Sequence, residues 1–256
     1  MVAGATDGQS TRPAQAVANP KRKRLGRNSR VRSLLIDIYS DVICPWCYIG
    51  KRRLERALAE RPQNGLTLHW RAFQLNPDMP AEGMDRQLYL QLKFGSAANA
   101  ERIYREIKAV GDEEDLAFAF EAIQRTPNTI ECHRLIRFAG MTDRQGAVVE
   151  ALFRAYFLAG ENIGAPAVLL NVAQSAGLDP AETQAFLDSD LEAEAVRAED
   201  SEARRGGLQG VPTFIVNGKY VLSGAHLPEV LYQMFDIGQR DDEAAKGPAE
   251  TGEAGA

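Results

Sequence analysis

Cys44-Pro45-Trp46-Cys47 lies where one periodicity gives way to another, and that junction constrains the fold more than any other stretch of the chain. Before it, Leu34-Leu35-Ile36-Asp37-Ile38-Tyr39 is short, apolar and β-branched, bounded by Ser40 and Asp41, which predicts a mostly buried strand. After it, Ile49, Leu54, Ala57 and Leu58 recur among Lys51, Arg52, Arg53, Glu55 and Arg56. That is the spacing of an amphipathic helix ending before Pro62 and Gly65. Leu66 to Phe73 alternates as a second strand, closed by Asn76-Pro77, so the chain opens as a βαβ unit whose helix begins at the cysteine pair.

That position has chemical consequences. Cysteine attacks a disulfide only as the thiolate, and the unpaired N–H groups and dipole at a helix N-terminus favour an anion where Cys44 sits. Pro45 supplies the φ of a first helical residue, and Cys47, one turn on, is close enough to resolve a mixed disulfide formed at Cys44. The chain has three cysteines; so few, and an odd number, argue against a disulfide framework and fit a reducing compartment. Half of a zinc site and a structural pair are the alternatives. Zinc needs four ligands, and Cys132, His69, His133 and His226 include no second close pair, so no metal site is expected. Trp46 stands where a basic residue would add positive charge beside the thiolate. Lys51, on the same helix face as Cys47, is a substitute for that charge or else a plain solvated residue.

From about residue 80 to 205 the pattern is helical throughout, with stops at Gly95, Gly111, Gly140, Gly160 and Gly177. Asp179-Pro180-Ala181-Glu182 combines an N-cap acid, proline at the first helical position and a capping-box Glu, and Asn128 or Thr129 can cap the helix that follows. After Gly206-Gly207, Thr213 to Val216, Asn217-Gly218 and Lys219 to Leu222 form a hairpin signal, and a last helix is expected from about Leu227 to Asp236.

Residues 1–32 are small, polar and basic, ending in Lys21-Arg22-Lys23-Arg24 with Arg27, Arg30 and Arg32. Both they and residues 237–256 have the composition of disordered tails. The basic run reads as a solvated leader, with RNA or an acidic membrane surface as the functional alternative. A net charge of −5 gives no electrostatic footprint for nucleic acid. No apolar run approaches the roughly 20 residues that cross a bilayer. The N-terminus lacks the apolar core of a secretory signal, so a cytoplasmic location is expected, with a transit peptide as the weaker option.

DIYSDVICPWCYIGKRRLE, QLNP at Gln74-Leu75-Asn76-Pro77, PNTIECHRLI and GVPTFIVNGKYVLSGAH together resemble the DsbA-like thioredoxin superfamily, in particular its FrnE-like branch, over residues 33 to 236. The resemblance implies an α/β fold of thioredoxin type with a large helical domain inserted between the second and third strands. Residues 33–78 and 206–236 would be the two parts of the thioredoxin domain, and 79–205 the insertion. It also implies protein disulfide oxidoreductase activity, with Cys44 as exposed nucleophile, Cys47 as resolving thiol and Pro212 as a cis-proline that bares the backbone of Val211. Pro45, Trp46 and Val211 would then line the substrate site, for protein or small-molecule thiols and disulfides. No bound cofactor is expected, and glutathione is a candidate co-substrate. CPWC departs from the CPHC of periplasmic oxidants, which points to a moderate potential of the reductase or isomerase type.

Glutathione-dependent isomerases of the 2-hydroxychromene-2-carboxylate type and kappa-class transferases are a related branch with serine in place of Cys44; they supply the second reading. A chaperone or peptide-binding module that inherited the motif is the third. Asp37, Lys51, Asn128 and His133 are candidate modulators. For them the plain readings are a hydrogen-bonded strand-edge acid, a solvated helix residue, a helix cap and a core histidine; for Cys132 it is an inert thiol. Phe153, Tyr156 and Phe157 read as core. A homodimer is compatible with the sequence.

Overall fold

The central sheet is organised around β1 (Leu34–Ser40), which pairs parallel with β2 (Leu66–Ala72) on one side and antiparallel with β5 (Thr213–Val216) on the other. With β6 (Tyr220–Ser223) at the edge, the order is β2-β1-β5-β6. These are features of a computed structural model, which describes residues 34–245; the basic tail at 1–32 and the chain from 246 onward lie outside the described residues. Parallel strands cannot be joined by a tight turn. Helix α1 (Pro45–Glu60) therefore carries the chain from β1 to β2, covering the face on which Leu34, Ile36, Ile38 and Ser40 are buried.

The hairpin predicted at Asn217-Gly218 forms as read, with both residues at positive φ (50° and 67°). Asn217 does more than turn the chain. Its Oδ1 accepts the Leu35 N–H, its N–H donates to the Leu35 carbonyl, and its Nδ2 donates to Gly238 O at 2.9 Å, so one side chain locks β1 to α9 (Pro228–Ala245).

Between β2 and β5 run α2 (Arg86–Phe94), α3 (Ala97–Asp112), α4 (Ile130–Gly140), α5 (Gln145–Phe153), α6 (Pro166–Ser175), α7 (Pro180–Leu187) and α8 (Ala193–Arg205). The insertion is not helical throughout. β3 (Met84–Asp85) and β4 (Arg125–Thr126) form a small antiparallel pair, too short to leave an alternating pattern in the sequence. Asp179 caps α7 through the Glu182 N–H, as expected. Asn128, rather than Thr129, accepts the N–H of Ile130 at the start of α4.

The inserted helices share one hydrophobic core with the sheet. Tyr48 of α1 stacks on Phe153 with ring centroids 4.8 Å apart, and Phe153, Tyr156 and Phe157 are fully buried. The loop after β2 is held by three carboxylates: Glu199 takes the Ala72 N–H (2.7 Å), Asp200 that of Gln74 (2.8 Å) and Asp41 that of Leu75 (2.7 Å). Buried carboxylates accepting backbone N–H groups make strong, charge-assisted bonds, and these fix the QLNP segment between the sheet and α8.

α9 runs nine residues past the expected end at Asp236, to Ala245. The polar composition there reads as a tail, but at Gly238 the helix backbone docks on the hairpin and β1. A methyl added at Gly238 would lie 2.5 Å from both Leu34 Cδ1 and Val216 Cγ1. Gly238→Ala should therefore lower stability by about 1 kcal/mol net, overpacking outweighing the gain in helix propensity, read as a lower urea midpoint.

Candidate active site

Cys44 is the N-cap of α1 and Pro45 its first residue, so Cys44 sits at the end of the helix where backbone N–H groups lack partners. Its own N–H donates to Asp41 O (3.0 Å) and its carbonyl accepts from Cys47 N (3.0 Å), which closes the loop into a rigid turn. Val211-Pro212 is a cis peptide, and the Cys44 thiol donates to the Val211 carbonyl across 3.7 Å. The ring of Pro212 packs over α1 where Gly50 leaves room: a Cβ there would lie 3.0 Å from Pro212 Cγ. The two distant motifs thus meet at one sulfur. Cys44 is only 5% exposed, so the nucleophile implied by the resemblance is sheltered rather than open, while Trp46 beside it is 38% exposed.

Cys47 lies one turn deeper and is 1% exposed. Burial pushes its pKa well above the ordinary thiol value, reinforced by the Cys44 contact and opposed by the Ser40 hydroxyl and the Asp41 backbone. At neutral pH Cys47 is a thiol. Both cysteines are free.

Other sequence candidates fall elsewhere. Asp37 faces away from the pair, on the half-exposed side of β1, where Arg71 Nε donates to it at 2.7 Å and His69 lies 3.5 Å away; no geometry links it to Cys47. Lys51 is neither solvated nor directed at the cysteines: it is 5% exposed, and its ammonium is taken by Glu55 and by Glu150 (2.7 Å). Asn128 caps α4 and donates to Met79 O at 2.6 Å, a scaffold role. His133 is buried with its Nε2 3.6 Å from Asp41 Oδ1 and no hydrogen-bond partner. Cys132 is fully buried, its thiol donating to Ile163 O at 3.2 Å, and burial followed by the Asp41 charge pushes its pKa well up, as befits an inert thiol.

The acid at the site is Asp41, fully buried, three residues before Cys44. Sequence reading passed over it in favour of Asp37, although an acid inside the run Ile36 to Ile43 was a visible signal. Among the described residues no group of three or more His, Cys, Asp or Glu is placed to hold a metal ion, and no helix is long and apolar enough to cross a membrane.

A strand, a cysteine pair at the head of the crossing helix, and a cis X-Pro carbonyl against the first sulfur coincide with a match of residues 35–236 to the DSBA-like thioredoxin domain. The chain belongs to the DsbA-like thioredoxin family. A probable DsbA oxidoreductase from Streptomyces coelicolor is 30% identical, the superposition covering 87% of this chain and 95% of that one with a TM-score of 0.73. Bacillus subtilis YwbO is 25% identical over 194 residues, 74% of this chain and 90% of that protein. The fold is shared with a 2-hydroxychromene-2-carboxylate isomerase (15% identity, TM-score 0.60, 84% of this chain and 100% of that one). It is also shared with the cytosolic disulfide reductase DsbM from Pseudomonas aeruginosa (18%, 0.56, 83% and 98%).

The DsbA-like helix α1 is also tied to α5 by charge. Burial raises the Glu150 carboxyl, but Lys51, Arg52 and Tyr48 outweigh it and hold the group below the ordinary carboxylate value. A depressed folded pKa gives stability that is present above the unfolded value and lost as pH falls through the folded one. Glu150→Gln should cost about 1–2 kcal/mol at pH 7 after allowance for its partial exposure. In urea titrations the gap to the parent protein should narrow below about pH 4, the unfolded carboxylate range.

Proposed function

We propose that the chain is a thiol–disulfide oxidoreductase of the disulfide reductase or isomerase type, acting through the CPWC pair on protein or small-molecule disulfides. The observation that carries this reading is the inequality of the two sulfurs. Cys44 stands at a helix N-terminus against the Val211 carbonyl, and Cys47 is a buried thiol one turn further into α1. The Cys44 thiolate attacks a substrate disulfide, the substrate S–S bond breaks, and the leaving thiolate takes a proton. Cys47 then loses its proton and attacks the Cys44 sulfur, closing the 44–47 disulfide and releasing the second substrate thiol. Trp46, exposed beside Cys44, and the Val211 backbone form the docking edge. Glutathione serves as co-substrate that returns the pair to the dithiol. The Pseudomonas aeruginosa fold relative is itself a cytosolic reductase whose structure has also been solved with GSH, which agrees with the cytoplasmic location we assign from cysteine usage.

Trp46 adds no charge between the cysteines and Lys51 is committed to Glu55 and Glu150, so the potential should be moderate, near that of a glutathione pool. Insulin reduction driven by glutathione tests the reading. The parent protein should turn over, and Cys44→Ala should lose at least about a hundredfold in rate, the loss expected when the nucleophile of a covalent cycle is removed. Isomerisation of a 2-hydroxychromene-2-carboxylate that persists in Cys44→Ala would favour the isomerase reading. Suppression of aggregation without any insulin reduction by the parent would favour a binding module.

A further inference from the structure

β6 is the outer strand of the sheet, and a groove of about 590 Å³ lies between it and the loop from Gly206 to Val211. The ladder decides which main-chain groups of β6 are turned outward. Gly224 donates its N–H to Pro212 O at 2.8 Å, so the alternation of an antiparallel pair turns Leu222 toward β5 and leaves Val221 and Ser223 facing out. Those two are the β6 residues that line the groove. The Ser223 carbonyl already meets the His226 ring at 2.8 Å. The Val221 N–H and C=O and the Ser223 N–H are left without a partner among the described residues. The groove also takes in Val211, whose carbonyl accepts the Cys44 thiol, so it is continuous with the reactive sulfur.

The opposite wall carries a glycine that the chain itself does not need. Gly207 is accounted for by its φ of 92°. Gly210 has no positive φ, and a Cβ built on it would meet nothing within 4 Å. Its carbonyl accepts the Thr213 hydroxyl at 2.8 Å, so its place in the loop is fixed. Glycine loses more chain entropy on folding than any other residue, and here neither conformation nor close packing gives anything in return. What its missing side chain does is leave the groove open.

We propose that this groove takes an extended polypeptide stretch flanking the substrate disulfide, added as a further strand on β6, and that Gly210 is the specificity-determining residue that keeps it clear. The proposal rests on the dithiol reading above and names its substrate class: polypeptide disulfides in preference to glutathione disulfide. Unpaired main-chain groups on a sheet edge are met by another main chain, whatever its side chains. Glutathione has a single residue on either side of its cysteine, and so no chain to lay along the strand.

The test mixes reduced protein with an excess of glutathione disulfide, or of the disulfide-linked dimer of a linear decapeptide with one central cysteine. Samples are quenched in acid at intervals, and mass spectrometry counts the 44–47 disulfide. In Gly210→Val the half-saturating concentration of the peptide dimer should rise at least about tenfold, the loss of a main-chain hydrogen bond or two, with the limiting rate kept. Its reaction with glutathione disulfide should match the parent, and its urea midpoint should stay level or rise, since a side chain there strains nothing. Val221→Pro removes an outward N–H without touching the ladder to β5, and should show the same selective loss. Equal slowing with both disulfides in the two variants overturns the proposal, as does parent behaviour with both. A parent that reacts with glutathione disulfide but not with the peptide dimer also overturns it. A parent that closes no 44–47 disulfide with either would sink the dithiol reading itself, and the proposal with it.

Discussion

Parallel pairing of β1 with β2 obliges the chain to cross one face of the sheet, and the helix that makes the crossing starts at Cys44. The properties of the site descend from that constraint. The first cysteine, as N-cap, lies at the rim beside the Val211 carbonyl; the second, one turn in, points at the sheet and is sealed from water. Helical periodicity alone makes the two sulfurs unequal, and burial then sets Cys47 well above an ordinary thiol. A CxxC on a flexible loop would have no such division of labour.

The helical insertion is part of this arrangement and not an attachment to it. Tyr48 reaches into its aromatic cluster, Glu150 answers Lys51 and Arg52, and Glu114, in the loop after α3, accepts from Arg53 at 2.6 Å. Arg53 in turn donates to Ala225 O at 2.6 Å, on the loop after β6. The charges on the outer face of α1 thus hold the helix against its surroundings, which is why none of them serves the cysteines. The electrostatics left to the site are those of backbone dipoles and Asp41.

Local order was legible because each element carries its own chemistry. The strand before Cys44, the helix after it, the Asn217-Gly218 hairpin and the α7 cap are all written within a few residues, and the structure has them in those places. What was not legible depends on residues far apart in sequence. Glu199 and Asp200 bind backbone N–H groups more than a hundred residues earlier, and no pattern near either end announces the bond. Lys51 read as solvated because its partner Glu150 is 99 residues away. Asp37 is the hydrogen-bonded strand acid its plain reading gives, and the register of β1 that turns it away from the cysteines is set by pairing with distant strands.

The central claim is that one cysteine reacts while the other two are held back by burial. Alkylation of the reduced, folded protein with iodoacetamide at pH 7, followed site by site by mass spectrometry, tests it most directly. Cys44 should be modified first and for long alone, with Cys47 and Cys132 labelled only on unfolding. Labelling of Cys47 or Cys132 as fast as Cys44 would contradict it.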